Sequence, residues 1–234
     1  MRILIEGMDL TGKSTLARGL VERLREGHIA ARRSAGLLGR GLTARAAWRR
    51  YRSGADPTAH LQSWLFVAAT VAEALVRPAP EEDGEVVVHE AYVDHTIALC
   101  EALGRPLSAA LARAVAPRLP GFFATILLVA FPEVRRLRLR ARPHADALDR
   151  LLVEHPARAA RLERRLAERV AARPNLLVLD SSVAAPEVLV ERALVHIFTS
   201  ARPRVECGPK AHGILGPRPG HDAARAGAGR AWTG

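Results

Sequence analysis

Apolar runs alternating with helical periods predict a three-layer α/β fold on a five-stranded parallel sheet. Two observations carry that prediction. Five short apolar-rich runs, at residues 3–6, 28–32, 85–89, 125–130 and 176–179, are separated by stretches with helical apolar spacing. The first run breaks at Gly7, and Gly12-Lys13-Ser14 follows, completing the phosphate-loop pattern G-x-x-x-x-G-K-S/T. In such sheets ligands lie at the carboxyl ends of the strands, which here carry Gly7, Glu90, Phe131-Pro132 and Asp180.

Ile3–Glu6 reads as the first strand. The helix Ser14–Glu26 follows with Leu16, Leu20 and Leu24 on one face, and Gly27 suits its C-terminal cap. His28–Arg32 is the second strand. Gly36–Gly41 is a loop, Ala44–Arg52 a basic helix and Ser53–Pro57 a turn. Ala59–Val76 is a helix too apolar to lie wholly on the surface. An acidic turn, Pro78–Gly84, leads to Glu85–His89, whose Val86-Val87-Val88 marks a strand buried on both faces. Helices are expected at 94–103 and 106–116, a strand at Thr125–Ala130 and a helix at Glu133–Arg142. The helix Ala157–Ala172, the strand Leu176–Leu179 and the helix Pro186–Phe198 complete a domain over residues 1–198. Residues 199–234 read as a disordered basic tail: in 201–234, Pro and Gly fill 11 of 34 positions and no apolar period remains.

The 234 residues are 49% hydrophobic, enough for a sizeable core. No apolar run approaches the roughly 20 residues of a membrane span. The phosphate loop begins too early for a secretory signal, and two Cys make no disulfide framework, so a cytoplasmic protein is expected. The net charge of +11 raises nucleic acid as a partner. Against that, the arginines are scattered among glutamates, and aromatics, at 4%, are too few for stacking platforms.

The loop itself specifies chemistry. Gly7 and Gly12 permit backbone angles that let the chain wrap a phosphate, and the N–H groups of Gly7, Asp9, Leu10, Thr11, Gly12, Lys13, Ser14 and Thr15 form an anion nest at a helix N-terminus. Lys13 supplies charge to the outer phosphates of ATP, and the Ser14 hydroxyl is a Mg²⁺ ligand. The chain uses 33 Arg but only two Lys, Lys13 and Lys210. Retaining a lysine in the loop fits a position that needs a compact ammonium.

The chain resembles the thymidylate kinase family of P-loop kinases over roughly residues 2–198. Glu6-Gly7-Met8-Asp9 with Gly12-Lys13-Ser14 is similar to that family's E-G-x-D-x-x-G-K-S/T. Glu90-Ala91-Tyr92-Val93-Asp94-His95-Thr96 stands where the family has D-R-Y-x-D-S-S/T, and Phe66–Thr70 where it has F-x-A-x-R. Pro132-Glu133-Val134, Arg138, Arg140 and Arg142, then Asp149-Arg150, resemble its P-E-V…R-x-R-x-R…D-R lid, here about 132–155. The resemblance implies an ATP- and Mg²⁺-dependent small-molecule kinase whose Arg-rich lid closes over the transferring phosphoryl group.

The departures fall on the acceptor side. Ala91 replaces the arginine that grips the acceptor phosphate, Thr70 replaces the arginine on the substrate helix, and Leu99-Cys100 replaces Tyr-Gln. A recognition site that loses hydrogen-bonding groups loses discrimination steeply. The acceptor expected is therefore a nucleoside monophosphate, a nucleoside or a nucleoside-like metabolite. By resemblance Asp9 lies near a sugar hydroxyl, and Phe66, Thr70, Tyr92 and Asp94 line the acceptor side. Arg33 and Arg40, after the second strand, are candidates for a displaced phosphate contact. Glu90 is expected to hold a Mg²⁺-bound water, to accept the acceptor hydroxyl's proton, or to pair with a lid arginine. Deoxynucleoside kinases, similar in fold, use a Glu-Arg pair for the proton. Arg138 and Arg142, at i, i+4, are the expected transition-state cations. A homodimer through helix 59–76 is the expected assembly. A nucleotide-binding regulatory protein with little turnover is the alternative.

Overall fold

In the computed structural model, five strands form one parallel sheet in the order β2-β3-β1-β4-β5, with helices on both faces. The structure describes residues 1–34, 49, 60–75, 84–143 and 147–201. The strands are β1 (Arg2–Gly7), β2 (Ala31–Ser34), β3 (Val86–Glu90), β4 (Ala124–Val129) and β5 (Leu176–Asp180). Among the described residues the helices are α1 (Lys13–Glu26), α2 (His60–Leu75), α3 (Val93–Ala102), α4 (Pro106–Val115), α5 (Pro132–Ala141), α6 (Ala147–Glu154), α7 (Pro156–Val170) and α8 (Pro186–Ala201). None of them is long and apolar enough to cross a membrane.

The sheet's register makes the period of two visible. Ile3 and Ile5 of β1, Val86 and Val88 of β3, and Ile126 and Leu128 of β4 pack with Leu16, Leu20 and Leu24 of α1 and Val190, Ala193 and Ile197 of α8. Leu4 faces the opposite layer with Val67 and Ile97, and Leu127 meets Leu162 and Leu166 of α7. Burial on both faces is why these strands read as unbroken apolar runs. Four helices open on proline, at 106, 132, 156 and 186, where a missing N–H costs nothing.

Three expectations are corrected. The second strand lies at 31–34 rather than 28–32, because the end of α1 consumes the earlier residues. Gly27 N–H donates to Arg23 O, His28 takes a φ of 59°, and Ile29 N–H donates back to Leu24 O. The chain then pairs Ala31 to Ser34 with Val86 to His89. The lid also contains an unexpected helix, α6. It has only eight residues, but its Leu148 and Leu152, at i, i+4, are buried against the α7 layer. The last helix runs to Ala201, past the boundary expected at 198. The loop 36–41, helix 44–52 apart from residue 49, the turns 53–57 and 78–83, and the tail from 202 onward lie outside the described residues.

Candidate nucleotide-binding and phosphoryl-transfer site

Gly7 ends β1 with a φ of 150°, and a Cβ there would stand 2.3 Å from Leu128 O. Only glycine lets the loop leave the sheet this close to β4. Leu10 (φ 67°) and Gly12 (φ 96°) bend the chain back so that Gly12 caps α1. Thr11, fully buried, donates through its hydroxyl to Met8 O at 2.8 Å. The expected loop from Gly7 to Thr15 is thus formed. Lys13 reaches across its mouth: Nζ donates to Gly7 O and Met8 O, each at 2.8 Å, and lies 3.3 Å from Asp9 Oδ1. Burial pushes the Asp9 carboxyl up, but Lys13, with His95 and Arg142, outweighs it and holds Asp9 below its ordinary value.

Glu90, at the carboxyl end of β3, joins three elements. Its Oε2 accepts from Ser14 Oγ at 2.5 Å, and its Oε1 accepts from Arg33 of β2, Nε at 2.9 Å and Nη2 at 2.5 Å. The arginine paired with Glu90 therefore comes from the neighbouring strand, not from the lid. Parallel pairing of Ser34 with His89 brings the two together.

The lid arginines do not form the expected pair. Arg138 donates through Nη1 to Leu10 O and Ser181 Oγ, both at 2.9 Å, and through Nη2 to Ser181 O at 2.7 Å. Arg142 lies one residue past α5 in extended backbone, so it leaves the helical face, and its Nη1 donates to buried Asp149 at 2.7 Å. Ser181, 6% exposed, also donates to Thr11 O at 2.7 Å. Arg138 and Ser181 thereby bolt the phosphate loop to the turn after β5.

Several residues expected on the acceptor side are buried and have partners within the protein. Tyr92 is 2% exposed, ringed by His89 and Phe122, with its hydroxyl reaching Glu73 at 3.3 Å; it belongs to the core. Asp94 is buried, and Arg173 binds its Oδ2 through Nε at 2.8 Å and Nη2 at 2.5 Å, with Arg169 Nε 3.4 Å from Oδ1. Phe66 packs in the core with Met8. Thr70, fully buried, returns its hydroxyl to Phe66 O of its own helix at 2.9 Å. Leu99 and Cys100 are likewise buried. Arg40 lies outside the described residues.

Glu6 was not expected to matter beyond its place in the loop motif. It is fully buried, and its Oε1 accepts the Tyr92 N–H at 2.7 Å. Ala91, at a φ of 50°, makes the tight bend that aims that N–H inward. A carboxylate ending the apolar run Ile3–Glu6 was the available signal, since a buried charge needs a partner or a proton. Burial pushes Glu6 up to about 8. His95, whose Nδ1 lies 3.8 Å from Glu6 Oε2, is pushed down by burial to about 4. The two are therefore a neutral pair at pH 7 rather than an ion pair.

This has a measurable consequence. Unfolded, Glu6 releases its proton near 4.5; folded, it keeps it to about 8. The folded chain thus binds the extra proton, and stability falls as pH rises through that window. His95 works oppositely, adding stability from about 4 up to its unfolded 6.5, so the two offset each other below pH 6.5. Glu73, raised by burial to about 7, adds to the fall below pH 7. From pH 6.5 to 8 the net expectation is a loss of about 2 kcal/mol, read from urea midpoints. Glu6→Gln should remove most of it.

Among the described residues, no group of three or more His, Cys, Asp or Glu side chains could hold a metal. Ser14 and Glu90 offer two adjacent oxygens, the small protein share usual for Mg²⁺, which takes its remaining ligands from water and phosphate.

A parallel sheet whose central strand feeds a glycine-lysine-serine loop into a helix defines a P-loop nucleotide-binding fold. The comparisons narrow this. The chain is 29% identical over 205 residues to "Probable thymidylate kinase" of Pyrobaculum calidifontis, covering 84% of this chain and 99% of that protein. It is 27% identical over 192 residues to the protein of the same name from Pyrobaculum aerophilum, covering 82% and 93%. The structure of thymidylate kinase from Candida albicans superposes with a TM-score of 0.64 at 16% identity, over 85% of this chain and 91% of that one. No protein-family model matches. The chain is thus similar to thymidylate kinases over most of its length and has a thymidylate kinase-like fold.

Proposed function

We propose that the protein is an ATP- and Mg²⁺-dependent phosphotransferase acting on a nucleoside monophosphate, a nucleoside or a nucleoside-like small molecule. The observation that carries this reading is the convergence of Lys13, Ser14, Glu90 and Arg33 at the carboxyl ends of β1, β2 and β3. ATP would supply the γ-phosphoryl group; the chain's own part is positioning and charge neutralisation. The loop N–H groups and Lys13 would hold the phosphates. Ser14 and Glu90 would hold Mg²⁺, and Glu90 would take the proton of an acceptor hydroxyl. Arg138 positions the loop, and Arg142 is a lid cation whose charge acts on Asp9.

Arg33 supports a rebuilt acceptor side. Ala91 offers no guanidinium where the family has one, yet Arg33 brings one to Glu90 from the adjacent strand. Arg33→Ala should raise the acceptor KM about tenfold and leave the ATP KM within about twofold. Phosphoryl transfer from MgATP to a panel of nucleosides, nucleotides and modified sugars tests the function itself. Turnover of at least one is expected. MgATP binding without any transfer would select the regulatory alternative, and a wide preference for thymidylate would overturn the rebuilt acceptor side. The exposed Leu61 and Trp64 on α2, beside Leu107 and Leu111 on α4, support pairing of two copies through α2, and the mass in solution checks it.

A further inference from the structure

Two buried polar atoms behind the phosphate loop have no hydrogen-bond partner and face each other: Glu6 Oε2 and His95 Nδ1, 3.8 Å apart. That gap is too long for a hydrogen bond. The His95 side chain is nevertheless 15% exposed, although its Nδ1 is enclosed. The ring therefore has one enclosed edge, against the buried carboxyl, and its exposure falls on the remaining atoms. The charged groups that act on it are Asp9 and Lys13 of the phosphate loop. Asp94, its neighbour on α3, is turned to Arg169 and Arg173 instead.

We propose that His95 is a specificity-determining residue of the acceptor side, presenting Nε2 beside Asp9 to an uncharged polar group of the acceptor, a hydroxyl or a ring amide, while Nδ1 is backed by Glu6. The proposal rests on the kinase reading above. A neutral imidazole offers one donor and one acceptor and no charge. Burial keeps His95 neutral at pH 7, and Glu6 behind it keeps its proton, with Asp94, Lys13 and Arg173 the other charges around that carboxyl. An anionic group placed here would meet Lys13, whose Nζ is already shared among Gly7 O, Met8 O and Asp9. The family to which the loop is similar has serine at this position; the imidazole projects further and fills space a serine leaves open. His95 is thus the polar group added to a side from which Thr70, Ala91 and Cys100 have removed others.

The test uses the full chain labelled with ¹⁵N-histidine, with His95 assigned by the signals lost in His95→Ser. Thymidine, thymidylate and MgATP are titrated separately. Acceptor binding should shift Nε2 of a neutral ring at pH 7, and MgATP alone should leave it in place. His95→Ser should weaken acceptor binding about tenfold and keep the affinity for a fluorescent ATP analogue within about twofold. His95→Asn, which retains a donor and an acceptor, should recover most of the loss and serves if the serine variant does not fold. The inference is overturned by a charged ring at pH 7, by equal weakening toward acceptor and ATP, or by unchanged acceptor affinity in both variants. Binding of MgATP with no acceptor moving the His95 signals also sinks it and leaves the kinase reading standing. Failure to bind MgATP at all sinks that reading instead.

Discussion

Lys13→Ala will lower kcat/KM by roughly two orders of magnitude or more, about 3 kcal/mol of transition-state stabilisation. The ammonium sits in the mouth of the loop, 11% exposed, within 2.8 Å of two loop carbonyls and beside Asp9. Charge at that point cannot be restored from elsewhere, because Arg138 is bound to Leu10 O and Ser181 and Arg142 to Asp149. Lys13→Arg should not rescue: a planar guanidinium cannot replace a point charge donated to Gly7 O, Met8 O and Asp9 together. Circular dichroism should show the variant folded. Activity equal to the parent would remove phosphoryl transfer from the account.

Asp94→Ala will destabilise the fold by about 3 kcal/mol, seen as a lower urea midpoint. The carboxylate is 4% exposed and ties α3 to the end of α7 through Arg173 and Arg169, each 23% exposed. Removing it leaves two partly enclosed guanidinium groups with no counter-charge, and their residual exposure keeps the cost at the lower end of that for a broken buried pair. The acceptor KM of the folded variant should change less than threefold. A rise much larger than the stability loss would return Asp94 to the acceptor side, where the resemblance had put it.

Both predictions show where sequence reasoning reaches and where it stops. The phosphate loop was legible because its chemistry is local: glycine angles, a lysine and a serine within eight residues specify the nest without help from the rest of the chain. The sheet was legible because burial on two faces demands unbroken apolar runs. The partners of Glu90, Arg138 and Asp94 were not legible. Each is chosen by elements 57, 43 and 79 residues away, and a charged residue on a helix or strand end looks the same whether it meets solvent, substrate or another side chain. Helix α6 was missed for a related reason, since eight residues gain their stability from the layer they cover.

By itself, then, the sequence determined the α/β class, the order of the five strands along the chain and the anion-binding loop at the end of the first. The tertiary structure alone decided that Arg33 rather than a lid arginine meets Glu90, that Tyr92 and Asp94 are buried with partners on other elements, and that Glu6 and His95 face each other without charge. The division follows from range: backbone angles and burial patterns are written in neighbouring residues, whereas pairing and desolvation depend on which distant elements the packing of the sheet brings together.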